Sequence, residues 1–124
     1  MNPTTTLFRQ VHPDFIPDGQ LSSQAFVPFP KDNGKVSVYD GDRITAAESY
    51  HHYTEVLGFE SDSVWGVTCD EVTSAGLESA PDPLEDFPSH AVVDFTAHPQ
   101  KNFRKLAKRL KAFALARGCL FRPR

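Results

Sequence analysis

The feature that most constrains the fold is an amphipathic helix that the sequence predicts over residues 98–118, HPQKNFRKLAKRLKAFALARG. At about 3.6 residues per turn, one arc of this helix is apolar and the opposite arc is basic. Pro99 suits the first helical position and Gly118 suits the residue that ends a helix. The apolar arc must be buried, so we expect it to lie on a sheet. We call the opposite arc the basic ridge; it comprises Lys101, Arg104, Lys105, Lys108, Arg109 and Lys111.

Short segments rich in β-branched and aromatic residues, bounded by Pro and Gly, predict the strands of that sheet. The predicted strands are residues 7–11, 21–27, 35–39, 63–69 and 90–95, with a further edge strand at 119–121. The segment 63–69 looks apolar on both faces, which is typical of a central strand. Asn33-Gly34 predicts a tight turn before the third strand.

Capping signals predict the remaining helices. Thr45 and Glu48 form a capping box that opens a helix over residues 45–57. Asp70 is predicted to cap a short helix over residues 71–76. A length of 124 residues suits one domain. The sequence therefore predicts a single α+β domain over residues 1–124, with a mixed or antiparallel sheet of about five short strands, two main helices and a flexible segment at 1–6.

Charge is segregated along the chain in a way that the net charge of −3 conceals. Residues 44–100 contain acidic side chains and no Lys or Arg, whereas residues 101–124 contain basic side chains and no acid. The proline-rich segment 78–89 is predicted to be an acidic surface loop. One interpretation is that the ridge is a solvated face partly neutralised by neighbouring acids. The other is that it binds an acidic partner protein or a phosphate backbone.

The function that this pattern favours is a small non-catalytic interaction protein, such as an adaptor, an accessory subunit or an immunity-type protein. Its contact surface would be the basic ridge or the acidic loop, and its expected partner is another protein with an acidic surface. Direct binding of nucleic acid is less favoured because the net charge is negative.

The alternative is a compact enzyme whose site lies on the polar N-terminal strands. Arg9, His12, Ser23 and Tyr39 are its candidate residues, with Glu48, Glu71 or Glu78 as the base. The strings LFRQVH and LSSQAF resemble ADP-ribosyltransferase-like and RES-type domains. In those families an early Arg or His, a Ser/Thr-rich strand and a later acid surround NAD. The resemblance covers only these two strings and does not assign the chain to a family.

Other chemistry lacks a sequence signal. The five His and two Cys residues show no zinc-ligand spacing, and no phosphate-binding glycine loop or serine-nucleophile motif is present. We therefore predict no metal site and no cofactor. Cys69 and Cys119 are expected to be reduced. No apolar run is long enough to span a membrane, and no signal peptide opens the chain, so a cytoplasmic location is expected.

Overall fold

The computed structural model describes residues 1–123, which form a single α+β domain around one five-stranded antiparallel sheet. The strand order is β3-β1-β2-β5-β4, and every neighbouring pair is antiparallel. The predicted fold class is confirmed at this level. The strands are β1 (Thr6–Val11), β2 (Lys35–Asp40), β3 (Ser63–Thr68), β4 (Glu78–Pro81) and β5 (His90–Asp94).

Only one of the helices is long. It is α3 (Phe103–Arg117), which follows a 3-10 turn at Gln100–Asn102 and ends at Gly118. The prediction of a second main helix over 45–57 is not confirmed, because α1 (Ala46–His51) passes into a π-helical turn at His52–Val56. The predicted capping box at its start is present.

The remaining helix, α2 (Cys69–Ser74), begins two residues earlier than predicted. Its N-cap is Thr68 rather than Asp70. The Thr68 Oγ1 accepts a hydrogen bond from the Glu71 N–H, and the Glu71 carboxylate accepts one from the Thr68 N–H. Asp70 fails as the cap because this reciprocal pair already satisfies two of the free amides at the helix start.

The prediction of a strand over residues 21–27 is wrong. The centre of this segment folds as a 3-10 turn at Ser23–Phe26, and no strand forms there. The buried residues are Leu21, Ala25 and Phe26. Their spacing matches one face of a helical turn and not the alternation of a strand, so the turn buries more apolar surface against α3.

Two further strand predictions need correction. The segment 63–69 was expected at the centre of the sheet, but β3 is an edge strand. It is apolar on both faces because Trp65 and Val67 pack into the core on one side of the sheet and Val64 packs into the core on the other. The chain end covers its free edge, where Val64 exchanges backbone hydrogen bonds with Leu120 and Phe121. The predicted loop 78–89 begins with β4, which pairs with β5. The edge position of β4 tolerates the proline that made this segment look like a loop.

The sheet buries a side-chain layer on each face. The larger core includes Leu7 and Val93 from the strands and Leu106 and Leu110 from α3. A smaller core under α1 is built on Phe8, Tyr39 and Val64. The segment before β1, predicted to be flexible, makes backbone hydrogen bonds to α2, from Cys69 N–H to Thr5 O and from Asp70 N–H to Pro3 O. Among residues 1–123, no helix combines the length and apolar character needed to cross a membrane.

Candidate functional site

Arg9 occupies the place where the pairing of β1 with β2 stops. The two strands pair over only two positions, at the end of β2. Beyond them the Arg9 side chain crosses the gap, with Nε donating to the Ala25 carbonyl at 2.7 Å and Nη1 to the Ser37 carbonyl at 3.0 Å. The guanidinium thus links β1 to β2 through Ser37 and to the 3-10 turn at Ser23–Phe26 through Ala25.

The guanidinium of Arg9 has donors left over. Its two bonds use two of five N–H groups. Within residues 1–123, Nη2 has no hydrogen-bond partner and no carboxylate lies within 4.0 Å of the side chain. Every fully buried side-chain nitrogen in that part of the chain has a partner, so Nη2 remains open to solvent. Arg9 is therefore a partly buried cation without a counter-ion.

A pocket of about 430 Å³ opens over this guanidinium, and we call it the Arg9 pocket. Its volume is in the range of small-molecule sites. Most of its wall is aromatic or aliphatic. Three of the most exposed large apolar side chains of the described residues stand at its mouth, namely Phe29 (40% exposed), Leu84 (49%) and Phe59 (56%). Other lining residues include Ser37, Tyr39, Tyr53, Phe87 and His90.

Tyr39 is held in the pocket wall by a histidine from the π-helical turn after α1. The Tyr39 hydroxyl and His52 Nδ1 are 2.8 Å apart, and His52 Nε2 is 3.3 Å from the Asp86 carbonyl. A carbonyl only accepts, so Nε2 carries the proton and the Tyr39 hydroxyl donates to Nδ1. Burial raises the pKa of Tyr39 well above its ordinary value of 10.0, with a further contribution from Tyr53. Tyr39 is therefore a neutral hydrogen-bonding group.

A second histidine lies beside Ser37. His90 Nδ1 is 2.8 Å from the Asp82 carbonyl and 3.2 Å from the Asp82 carboxylate, while Nε2 is 3.0 Å from Ser37 Oγ. Because both Asp82 groups accept, Nδ1 carries the proton and Nε2 accepts from the Ser37 hydroxyl. This order of hydroxyl, imidazole and acid is the arrangement that lets a histidine remove a proton from a serine.

The charges around Arg9 are coupled. Burial lowers the pKa of Arg9 from its ordinary value of 12.5, and the interactions with Tyr53 and Asp32 oppose that change. Burial raises the pKa of Tyr53, which Arg9 counteracts and Asp32 reinforces. Within residues 1–123, Asp32 is the only carboxylate that lines the pocket, and it stands too far away to form an ion pair with Arg9. The site keeps a positive centre at neutral pH.

The structure brings together only some of the residues that the sequence proposed for an enzyme. Arg9 and Tyr39 line one pocket. His12 lines an adjoining recess that Arg9 also borders, and its Nδ1 accepts from the Asp14 N–H. Ser23 begins the 3-10 turn and does not line the Arg9 pocket.

The three glutamates proposed as the base also lie outside the Arg9 pocket lining. Glu48 belongs to the capping box of α1 and Glu78 begins β4. Glu71 caps α2 and accepts two hydrogen bonds from Arg117, at 2.8 and 3.0 Å. Burial would raise the pKa of Glu71, but the hydrogen bonds from Arg117 and Thr68 outweigh it and lower the pKa below its ordinary value.

The basic ridge lies along the outer surface of α3. Of its members, Lys101, Arg104, Lys105 and Lys108 are exposed, Lys111 is partly buried, and Arg109 Nη1 donates to the Ala75 carbonyl at the end of α2. Among the residues that the structure describes, no ridge side chain lies within 4.0 Å of a carboxylate. The acids of the chain therefore leave the ridge without ion pairs.

Ser37 and His90 line the pocket, while Asp82 and His52 form hydrogen bonds to lining residues from outside it. None of the four was among the candidate site residues that the sequence proposed. On β2, Ser37 alternates with apolar residues and shares a face with Tyr39, whereas His90 begins a strand that is apolar from Ala91 to Val93 and shows no alternation. Their approach to each other depends on the register of β2 against β5, which the sequence does not give.

The chain has no match among protein-family models, curated proteins or solved structures. Within residues 1–123, no group of three or more His, Cys, Asp or Glu side chains is placed to hold a metal ion.

Proposed function

We propose that the chain is a small non-catalytic interaction protein that binds a partner with an acidic surface through the basic ridge. The supporting observation is that the ridge has no carboxylate within 4.0 Å in the described residues, although the chain as a whole is acidic. Unpaired like charges along one helix face repel each other, and an acidic partner relieves that repulsion. Such a surface would act mainly on the rate and choice of association.

The ridge residues differ in how safely they can be tested. Arg109 supports the end of α2 through its bond to the Ala75 carbonyl, so its reversal would also disturb the fold. Arg104, Lys105 and Lys108 are exposed and have no such bond. The test variant is therefore the triple change of these three residues to Glu. The control is Lys35→Glu with Arg43→Glu, which reverses two exposed cations that do not belong to the ridge.

The experiment is a pull-down from extract of the source cell at low and raised salt. We expect a specific protein that is retained by wild type and by the control, lost by the ridge variant, and weakened by salt. A partner held equally by the ridge variant would refute this proposal, as would the absence of any specific partner. The fluorescence anisotropy of labelled duplex DNA, measured as the protein is added, tests separately whether the ridge binds nucleic acid.

The enzyme alternative has one observation in its favour, which is that Arg9 and Tyr39 line the same pocket as Ser37 and His90. In that case Arg9 would hold an anionic group of a nucleotide-like substrate, and His90 would replace the glutamates as the proton acceptor. Labelling of Ser37 by a fluorophosphonate, lost in Ser37→Ala, would support an activated hydroxyl. Absence of labelling would remove this role for Ser37 and His90.

A further inference from the structure

We propose that the Arg9 pocket is a binding site for a small aromatic molecule that carries one oxyanion group, a phosphate monoester or a carboxylate. The inference goes beyond the ridge interaction and does not depend on any reaction at Ser37. It rests on three properties of the pocket, which are a cation without a counter-ion, an aromatic wall and an apolar mouth.

The Arg9 guanidinium favours a ligand with a negative charge. Removing a guanidinium from bulk water is costly unless it is paired, and the Arg9 side chain is matched only by two neutral carbonyls in residues 1–123. The donors that remain on Arg9 form a planar fork suited to two oxygens of a phosphate or carboxylate. Lys31 also lines the pocket and adds a second positive charge, so an anion is favoured over a neutral ligand.

The aromatic wall of the pocket favours a ligand that contains a planar ring. Tyr39 and Phe87 lie with ring centroids 4.5 Å apart, and Tyr53 and Phe59 with centroids 5.2 Å apart. All four rings line the pocket, and Phe29, Leu57 and Leu84 add further apolar wall. A planar ring makes favourable offset or edge contacts with such walls. Apolar side chains left exposed around one opening are typical of a binding site.

The negative charge of Asp32 should weaken the binding of an anion in the pocket. Within residues 1–123, Asp32 is the only carboxylate in the pocket lining, and it interacts with both Arg9 and Tyr53 through its charge. A bound anion would be repelled by Asp32 and attracted by Arg9. Removal of the two charges must therefore change anion affinity in opposite directions, whereas a purely structural role for Arg9 predicts no effect of Asp32.

The test measures binding of phenyl phosphate and of benzoate by calorimetry at neutral pH, with benzyl alcohol as the neutral comparison. We expect at least one of the two anions to bind wild type at least tenfold more tightly than benzyl alcohol, a difference of about 1.4 kcal/mol. Arg9→Gln should weaken that anion at least tenfold, and Asp32→Asn should strengthen it. Arg43→Gln, which removes an exposed guanidinium outside the pocket, should leave affinity within twofold.

Failure to bind either anion would overturn the proposal, and so would equal affinity for benzyl alcohol. Circular dichroism first establishes whether Arg9→Gln folds, because Arg9 also bridges β1 and β2. If that variant does not fold, Asp32→Asn decides, since it lies in a surface turn and its effect has a predicted sign. Unchanged or weaker anion binding in Asp32→Asn would refute the inference.

Discussion

The ion pair between Glu71 and Arg117 allows a quantitative test, because the chain contains a matched control. Both α1 and α2 begin with a Thr and Glu capping box. Only Glu71 also binds an arginine, with two oxygens facing two nitrogens of Arg117 at 2.8 and 3.0 Å. Glutamine can still accept the capping hydrogen bond, so Glu71→Gln removes the charge and keeps the cap.

The size of the effect follows from the burial of the pair. The Arg117 and Glu71 side chains are 27% and 21% exposed. Fully exposed pairs contribute about 0.2–1 kcal/mol, and hydrogen bonds to charged groups about 1.5–3 kcal/mol. We therefore expect Glu71→Gln to lower the free energy of unfolding by about 1.5 kcal/mol, which lowers Tm by about 5 °C in a chain of this length. Glu48→Gln should leave Tm unchanged within error.

Thermal unfolding followed by circular dichroism measures both variants across pH. The pKa of Glu71 is lowered in the folded protein, so its stabilisation is complete above its ordinary pKa of 4.5 and is lost as pH falls through the lowered value. The difference in stability between wild type and Glu71→Gln should accordingly have its full size at neutral pH and should approach zero in acid. Equal shifts for the two variants, or a gap that stays constant in acid, would show that the arginine pair contributes nothing.

Three other perturbations test the core, a close backbone approach and the pocket wall. Leu110→Ala, at a fully buried position on α3, should cost about 3 kcal/mol in denaturant unfolding, and a loss under 1 kcal/mol would contradict the packing. Gly41→Ala should destabilise strongly, because its Cβ would collide with the Thr6 carbonyl oxygen; a soluble variant with wild-type Tm would disprove that approach. Tyr39→Phe should free His52 Nδ1 from its 2.8 Å hydrogen bond and move the NMR chemical shift of that ring nitrogen, and an unchanged shift would argue against the bond.

The sequence predicted the parts of the fold that depend on local patterns. The periodicity of α3, the alternation of β2 and the apolar run of β5 each come from contiguous residues, and all three elements form in the segments where they were expected. The prediction of a strand over residues 21–27 was wrong because the apolar content of this segment suggested a strand, while the spacing of its apolar residues suits a helical turn. The position of β3 was predicted wrongly because a strand whose two faces both lie in a core looks central in sequence, and no local pattern shows whether both of its edges are paired.

The candidate site was only partly predictable for a different reason. Arg9 and Tyr39 were recognised as polar or amphipathic residues on early strands, and they do share a pocket. His90 and Ser37 meet across β2 and β5, and Arg9 crosses a gap where pairing stops. Register and the end of a ladder are set by long-range packing, so no local pattern reports them.

The strand order also has a consequence for how the chain is made. β1 lies between β2 and β3, and both partners follow it in the chain, with β3 completed roughly fifty residues after β1 ends. At a synthesis rate of about 5–20 residues per second, β1 waits for seconds with at least one edge unpaired. An unpaired apolar edge is a template for association with another chain. During translation, therefore, β1 keeps an edge open to association with other chains until β3 emerges.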